Sequence, residues 1–385
     1  MMRMPAHIMD DAALIHVLDA LQADGNRAYL VGGVVRNALL GEAVDDIDIA
    51  TDAIPDTTIR LAKAAGLRAV PTGIDHGTVT LVHQGRGFEV TTFRRDVETD
   101  GRHAVVSFTD DMAQDAARRD FTMNALYADA SGAVLDPMGG LPDLAARRLR
   151  FVGDAGQRIR EDYLRILRFF RFFARYGHQA DPEAIAACAA HKGGLSGIAR
   201  ERIGAEMRKL LAAPDPAASV ALMQDTGVLD LGLPGAHPAA LTALLRCEGD
   251  TPPAWQRRLA ALHDDPATAL RLSRSEAKVQ ASLRKAMSLD WSLDQAAYRL
   301  GPEIGADHAL LQAARGIALP PDWRDQVAQA ACATFPLSAA DLPDLQGPAL
   351  GRGLKTAEAA WIASGFALPA PALIDMAYLA GKEPL

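Results

Sequence analysis

The sequence predicts an α+β chain: a small head of mixed strands and helices up to about residue 135, then an all-α remainder. Three observations carry this. Period-two alternation is confined to the first third, helical periodicity takes over beyond it, and Gly and Pro punctuate the rest at helix-length intervals. Taken in order, Leu14, Val17, Leu18 and Leu21 share one face of a helix over residues 11–25, stopped near Gly25. "AYLVGG" reads as a short buried strand entering a turn, and "VVRNALLG" as a helix stopped by Gly41. "DIDIAT" alternates, so a strand with one wet face is expected over 46–51. A helix opens at Pro55 and stops at Gly66. "GTVTLVHQGRGFEVTTFR" predicts a β-hairpin turned through Gly85 and Gly87. The charged stretch "TTFRRDVETDGRHAVVSFTDDMAQDA" predicts a mobile loop. After "VLDPMGGLPDLAARRLR" strand signals almost vanish.

A chain of 385 residues has room for two or more domains. No apolar run approaches the ~18 residues of a membrane span, and "MMRMPAHIMDDAALIHVL" meets acidic residues too early for a signal peptide. A cytoplasmic location is therefore expected. Cys188, Cys247 and Cys332 lie far apart, without CxxC or partner His spacing. They read as buried small hydrophobes, not zinc ligands or a disulfide frame. His263-Asp264 lacks the further ligands of a metal phosphohydrolase and reads as a surface dipeptide. The net charge of −8 argues against a polyanionic partner, but its distribution does not. Between Arg147 and Arg175 nine arginines face only Asp154, Glu161 and Asp162. Such a segment in an acidic chain confines phosphate binding to one surface; a solvated charged helix is the alternative.

Asp46 and Asp48 are i and i+2, so on a strand both carboxylates point to one face. Two uncompensated carboxylates repel each other, and a divalent cation relieves them; Mg2+ suits one or two carboxylates plus substrate phosphates. A solvated strand face is the other reading of the same triplet. Glycines 32 and 33, between strand and helix, let backbone N–H groups approach an anion at a helix N-terminus. Arg36, one turn on, can add a charged fork to phosphate oxygens. Together, GG-x-x-R and DxD describe a triphosphate site beside a metal site.

"LVGGVVRNALLG…DDIDIAT" resembles the nucleotidyltransferase signature of the polymerase-β superfamily, in its CCA-adding enzyme and poly(A) polymerase branch. "RRDFTMNALY", "LDPMGGLPDLAARRLRFVGD" and "EDYLRILRFFRF" resemble that branch's later motifs, in the right order over residues 29–177. The resemblance implies a polymerase-β-like head with a mixed sheet over 1–135, a helical neck recognising the base over 136–215, and a helical body and tail binding tRNA over 216–385. It implies that Asp46 and Asp48 hold catalytic Mg2+. Gly32, Gly33 and Arg36 would contact the triphosphate, Arg119 and Asp120 would lie along phosphates and ribose, and Asp162, Arg165, Arg168 and Arg171 would line the nucleotide-binding helix. A third carboxylate is expected in the superfamily, and Glu89 on the neighbouring strand is the candidate. One departure shows: Asn37 stands where the family usually has Asp.

Independently, the run over 161–175 is apolar almost all round, so arginines there need acids or a ligand. As i and i+3 of a helix, Asp162 and Arg165 share a face. A carboxylate accepts from the amino group of C or A while a guanidinium donates to the adjacent ring nitrogen, and U and G are refused. An intrahelical salt bridge is the alternative. The implied activity is template-independent addition of CCA to the 3′ end of tRNA from CTP and ATP, with the helical half gripping the acceptor arm and elbow. "DGRHA", within a segment resembling the family's flexible loop, and "PTGIDHGTVTLV" favour a full CCA enzyme. A poly(A) polymerase and a partial CC- or A-adding enzyme share most of the signature. No membrane partner is implied, and oligomeric state has no sequence signature here.

Overall fold

The computed structural model describes residues 2–100 and 103–382. The chain divides into two compact units, Met1–Gly232 and Leu233–Leu385. The architecture is α+β, as expected.

The first unit is built on a seven-stranded mixed sheet. In chain order its strands are β1 (Ala28–Val31), β2 (Asp48–Thr51), β3 (Arg68–Gly73), β4 (Thr78–His83) and β5 (Arg86–Thr92). A two-stranded ribbon, β6 (Arg94–Asp100) and β7 (His103–Phe108), follows, then β8 (Tyr127–Ala128) and β9 (Val134–Leu135). The spatial order is β3-β4-β5-β2-β1-β8-β9. β4 and β5 form the expected hairpin, with Gly85 in the left-handed region at φ 82°.

Helices Ala12–Gln22 and Pro55–Ala64 pack against one side of the sheet, burying Leu14, Leu18, Leu21 and Leu61. The first is capped by Asp11, whose carboxylate accepts from the N–H groups of Ala13 and Leu14. Beyond residue 135, pairing among the described residues shrinks to a two-residue parallel contact between Arg148–Leu149 and Gln179–Ala180 and a single bridge from Phe151 back to Phe121.

Several local expectations are corrected. β2 begins at Asp48, so Asp46 precedes the strand. Nor is β2 half wet: flanked by β1 and β5, it buries Ile49, Ala50 and Thr51 in succession. The segment expected as a loop after Thr92 pairs as the β6–β7 ribbon, Arg94 opposite Phe108, and then forms the short helix Met112–Ala117. Gly101 and Arg102 of its "DGRHA" core lie outside the described residues. The run over 161–175 is two helices, Ala155–Glu161 and Leu164–Tyr176. Asp162 lies between them with extended backbone (φ −151°), and its side chain accepts from the N–H of Leu164. Only Cys188 is a buried cysteine; Cys247 is half-buried and Cys332, at a helix end, is exposed.

The second unit is helical throughout. One cluster gathers Leu244, Leu283, Leu310 and Trp323, and another Leu342, Leu345, Trp361 and Leu373. Glu248 is buried there between Arg257 and Arg258, at 2.7 Å from each. His263 and Asp264 lie at the surface of this unit, the Asp264 side chain 84% exposed. Among the described residues no helix is long and apolar enough to cross a membrane.

Candidate active site

β1 delivers the chain into a turn at Gly32, which has φ 71° and ψ −115° and precedes helix Gly33–Leu40. A Cβ at Gly32 would lie 3.3 Å from NH1 of Arg119 and 3.4 Å from the Asn124 carbonyl. The conformation and the close approach both require glycine. Gly32→Ala is therefore expected to lose about 1–2 kcal/mol of stability and displace the Arg119 guanidinium; denaturant titration measures the first. An unchanged midpoint would contradict the geometry.

The register β1–β2–β5 places the carboxylates. In the parallel pair β2–β5, Asp48 lies directly opposite Glu89, so the two leave the same face of the sheet. Asp48 is half-buried, while Asp46 and Glu89 are exposed. Burial pushes the Asp48 carboxyl above the usual carboxylate range; Glu89 and Asp46 add to the effect, and Arg119 opposes it. None of the three carboxylates forms a salt bridge to a described residue. Among the described residues no three His, Cys, Asp or Glu side chains form a closed metal cage. An open carboxylate group without a salt bridge, next to a glycine turn, fits a hard divalent cation completed by oxygens from outside the chain better than a protein-only site.

Arg119 joins the turn to the carboxylates. Its Nε donates to the Tyr127 hydroxyl (3.1 Å) and its NH2 to Asp115 (3.0 Å), leaving NH1 against Gly32. Tyr127 closes the triangle by donating to Asp115 at 2.7 Å. Asp115 is 1% exposed and also pairs with Arg118 at 2.7 Å. Although burial works the other way, Arg119, Arg118 and Tyr127 hold its carboxyl at about 2, well below the usual 3.8. Sequence reasoning missed Asp115 and Tyr127. The available signal was the i, i+3 and i, i+4 spacing of Asp115 to Arg118 and Arg119.

Asp120 is buried and pinned. It accepts from the Phe121 N–H and the Asn124 amide, both at 2.9 Å, and pairs with Arg168 on helix Leu164–Tyr176. Burial would raise its carboxyl, but Arg168 and Asn124 hold it below the usual range.

Asp162 and Arg165 are not brought together as a pair. Asp162 accepts from Arg202 at 3.0 Å, and Arg165 donates through NH1 to Glu161 (2.5 Å) and the Arg158 carbonyl (2.8 Å). The backbone still closes a turn there, with the Arg165 N–H donating to the Asp162 carbonyl at 2.9 Å, but the two side chains are taken by other partners. Arg165 still keeps its Nε/NH2 edge clear of described partners. Arg171 lies 2.6 Å from buried Glu206 and 4.4 Å over the Phe172 ring.

Arg36 is buried one turn into its helix, and NH2 lies 3.8 Å from where a Gly33 Cβ would stand. It donates to Asn37, Asn124 and the Tyr176 hydroxyl.

Residues 28–150 match the family described as Poly A polymerase head domain, and residues 179–240 match the probable RNA and SrmB-binding site of polymerase A. The first match spans the mixed sheet of the head, and the second lies in the helical part that follows it. The family generally uses divalent metals. The chain is 43% identical over 216 residues to the human mitochondrial CCA tRNA nucleotidyltransferase 1, which covers 55% of this chain and 50% of that protein. It is 40% identical over 232 residues to the CCA-adding enzyme of Geobacillus kaustophilus (60% and 56%). The match thus spans about half the length of these curated relatives. In fold, the chain superposes on the Bacillus stearothermophilus CCA-adding enzyme in complex with CTP with a TM-score of 0.74, at 29% identity over 91% of this chain and 92% of that one.

Proposed function

We propose that this nucleotidyltransferase adds CCA to the 3′ end of tRNA without a template, from CTP and ATP, releasing pyrophosphate. The observation that carries the reading is the register setting Asp48 opposite Glu89 beside Arg119 and the Gly32 turn. It joins a triphosphate cradle to a carboxylate group. The relatives named CCA-adding enzyme, one of them bound to CTP, support the choice of substrates.

In this reading the turn at Gly32 and Gly33, with Arg36 and Arg119, binds the triphosphate of the incoming nucleotide. Asp120, held by Arg168, keeps the second motif docked on helix Leu164–Tyr176 alongside phosphates and ribose. Asp46 and Asp48 would hold Mg2+, which would supply charge neutralisation on the phosphoryl oxygens. Glu89 would be the third carboxylate and would take the proton of the terminal ribose hydroxyl. That oxygen attacks the α-phosphorus in line, the bond to the bridging oxygen breaks, and pyrophosphate leaves.

Base choice falls to Asp162, which would accept from the exocyclic amino group of C or A, and to Arg165, whose Nε/NH2 edge would donate to the adjacent ring nitrogen. Arg168 and Arg171 line the same helix. We assign residues 1–135 to the catalytic head, 136–215 to the neck and 216–385 to a body and tail that hold the acceptor arm and elbow by shape and phosphate contacts. The RNA-binding match over 179–240 supports an RNA partner. A cytoplasmic location, where CTP, ATP and tRNA coexist, goes with this reading.

The test uses a tRNA transcript ending at the discriminator base, with CTP alone, ATP alone or both. Two additions with CTP and three with both are expected on a sequencing gel. The head match, described for poly A polymerase, favours one rival. A long ladder with ATP alone would establish that rival, and arrest after CC or at A alone would mark a partial enzyme.

A further inference from the structure

Arg36 differs from its neighbours Arg119, Arg168 and Arg171, each of which faces a carboxylate: Asp115, Asp120 and Glu206. Its own hydrogen-bond partners are all uncharged. Nε and NH2 donate to the Asn37 amide oxygen at 3.1 and 2.8 Å, NH1 to the Asn124 amide oxygen, and NH2 again to the Tyr176 hydroxyl at 2.9 Å. The guanidinium also lies 4.1 Å over the Tyr176 ring and 5.1 Å from the Phe172 ring.

We infer that Tyr176, together with Asn37, is a positioning residue: it holds Arg36 in an uncharged socket, so that the full positive charge is offered to the nucleotide's triphosphate. The inference rests on the proposed function, and deepens it by naming what aims Arg36.

Three arguments support it. First, the acceptor directly beside Arg36 is the amide of Asn37, and no described carboxylate bonds the guanidinium. Asp120, reached through Asn124, is already engaged by Arg168. A buried cation with only neutral acceptors is costly to the fold unless an anion arrives.

Second, the socket is closed mechanically. Residues 168, 172 and 176 lie on one face of helix Leu164–Tyr176. Arg168–Asp120–Asn124–Arg36–Tyr176 forms a ring of hydrogen bonds whose two ends lie on that helix.

Third, the Tyr176 hydroxyl is filled as an acceptor, since Arg175 Nε also donates to it at 3.0 Å. Its orientation is thereby set, and Arg36 with it. Four of the five guanidinium N–H groups are spent, which leaves one on NH1.

The experiment measures CTP dissociation by titration calorimetry without RNA, alongside KM and kcat on a tRNA transcript, for wild type, Tyr176→Phe and Asn37→Asp. Phe keeps the ring and removes one acceptor. Dissociation constants for CTP and ATP are expected to rise about 3- to 10-fold, with kcat within about twofold of wild type. Asn37→Asp supplies the missing charge. It is expected to raise Tm while weakening CTP by about threefold or more, because Arg36 is then neutralised.

Wild-type CTP affinity in both variants would overturn the inference. So would a loss of kcat and Tm in Tyr176→Phe with CTP affinity unmoved, which is the signature of a purely architectural residue. A wild-type protein that binds CTP but extends no tRNA would instead overturn the proposed function, and is told apart by the binding data.

Discussion

Asp48→Asn is expected to abolish nucleotide addition and, at the same time, to stabilise the metal-free protein. The two effects have one cause. Asp48 starts the central strand half-buried, with Glu89 directly opposite and Asp46 two residues before it. Burial, then Glu89 and Asp46, push its carboxyl above the usual range, so its charged form is disfavoured in the fold. Asparagine removes one of the repelling charges at nearly constant volume, so the metal-free melting temperature should rise. The same substitution takes away a ligand the divalent ion would use. Transfer should fall by about 10³-fold or more.

Mg2+ supplies the control. An ion that binds only the native state raises its stability, so wild type should gain Tm with Mg2+ while the variant gains little. Incorporation on a tRNA transcript and thermal melts with and without Mg2+ read both effects. A variant as active as wild type would sink the assignment of this carboxylate.

What was legible in the sequence was local. The Gly32–Gly33 turn, Arg36 and the DxD triplet lie within 17 residues of one another, and singling them out needs only residue type and spacing. The opposition of Asp48 and Glu89 is not local. It depends on a parallel pairing across the helix Pro55–Ala64 and two intervening strands, and a slip of one residue would have turned Glu89 to the other face.

Periodicity misled where a side chain competed with it. The run over 161–175 is apolar enough for one helix, but Asp162 bonds the N–H of Leu164, and this local alternative splits the run. The ribbon β6–β7 was hidden by the density of charge around "HAVVSF", a stretch with no clean alternation to mark a strand. The Arg36–Tyr176 contact joins positions 140 residues apart, and no spacing rule reaches that far.

The arginines of the site share one design problem with different solutions. Each is held in a poorly solvated place, and in the proposed reading some of them must also present charge to a substrate. Arg119 is held through Nε and NH2, with NH1 turned to the Gly32 turn. Arg165 is held through NH1, with the opposite edge left over. Arg168 is committed to Asp120 and fastens the helix to the second motif instead. A fork with several donors can be anchored by some and used by the others, which a lysine cannot do. The sequence shows an arginine-rich stretch; only the partners show which arginines are anchors.

Asp115 is the anchor on which most depends, and Asp115→Ala is expected to be the most destabilising of the changes considered. Its carboxylate is fully buried and accepts from Arg118, Arg119 and the Tyr127 hydroxyl. Removing it strands two guanidinium groups and a phenol, a loss of about 3–5 kcal/mol by the usual cost of breaking a buried pair. The pH dependence gives an independent check. The folded value of about 2 lies below the ordinary 3.8, so the stabilisation is complete above the unfolded value and disappears as pH falls through the folded one. That difference corresponds to about 2 kcal/mol, less than the cost of truncation because the truncated side chain also leaves its partners unpaired.

Asp115→Asn separates the two contributions. It can still bond Tyr127 but carries no charge, so it should fold, show a smaller loss near neutral pH, and lack this part of the acid-induced drop between about pH 4 and 2. With Arg119 no longer pinned against the Gly32 turn, its KM for CTP should rise about 10-fold or more. Denaturant titrations of wild type and Asp115→Asn at neutral and acid pH, with nucleotide kinetics on the same samples, test both halves. Equal acid sensitivity in the two proteins would show that the charge on Asp115 is not what holds Arg119.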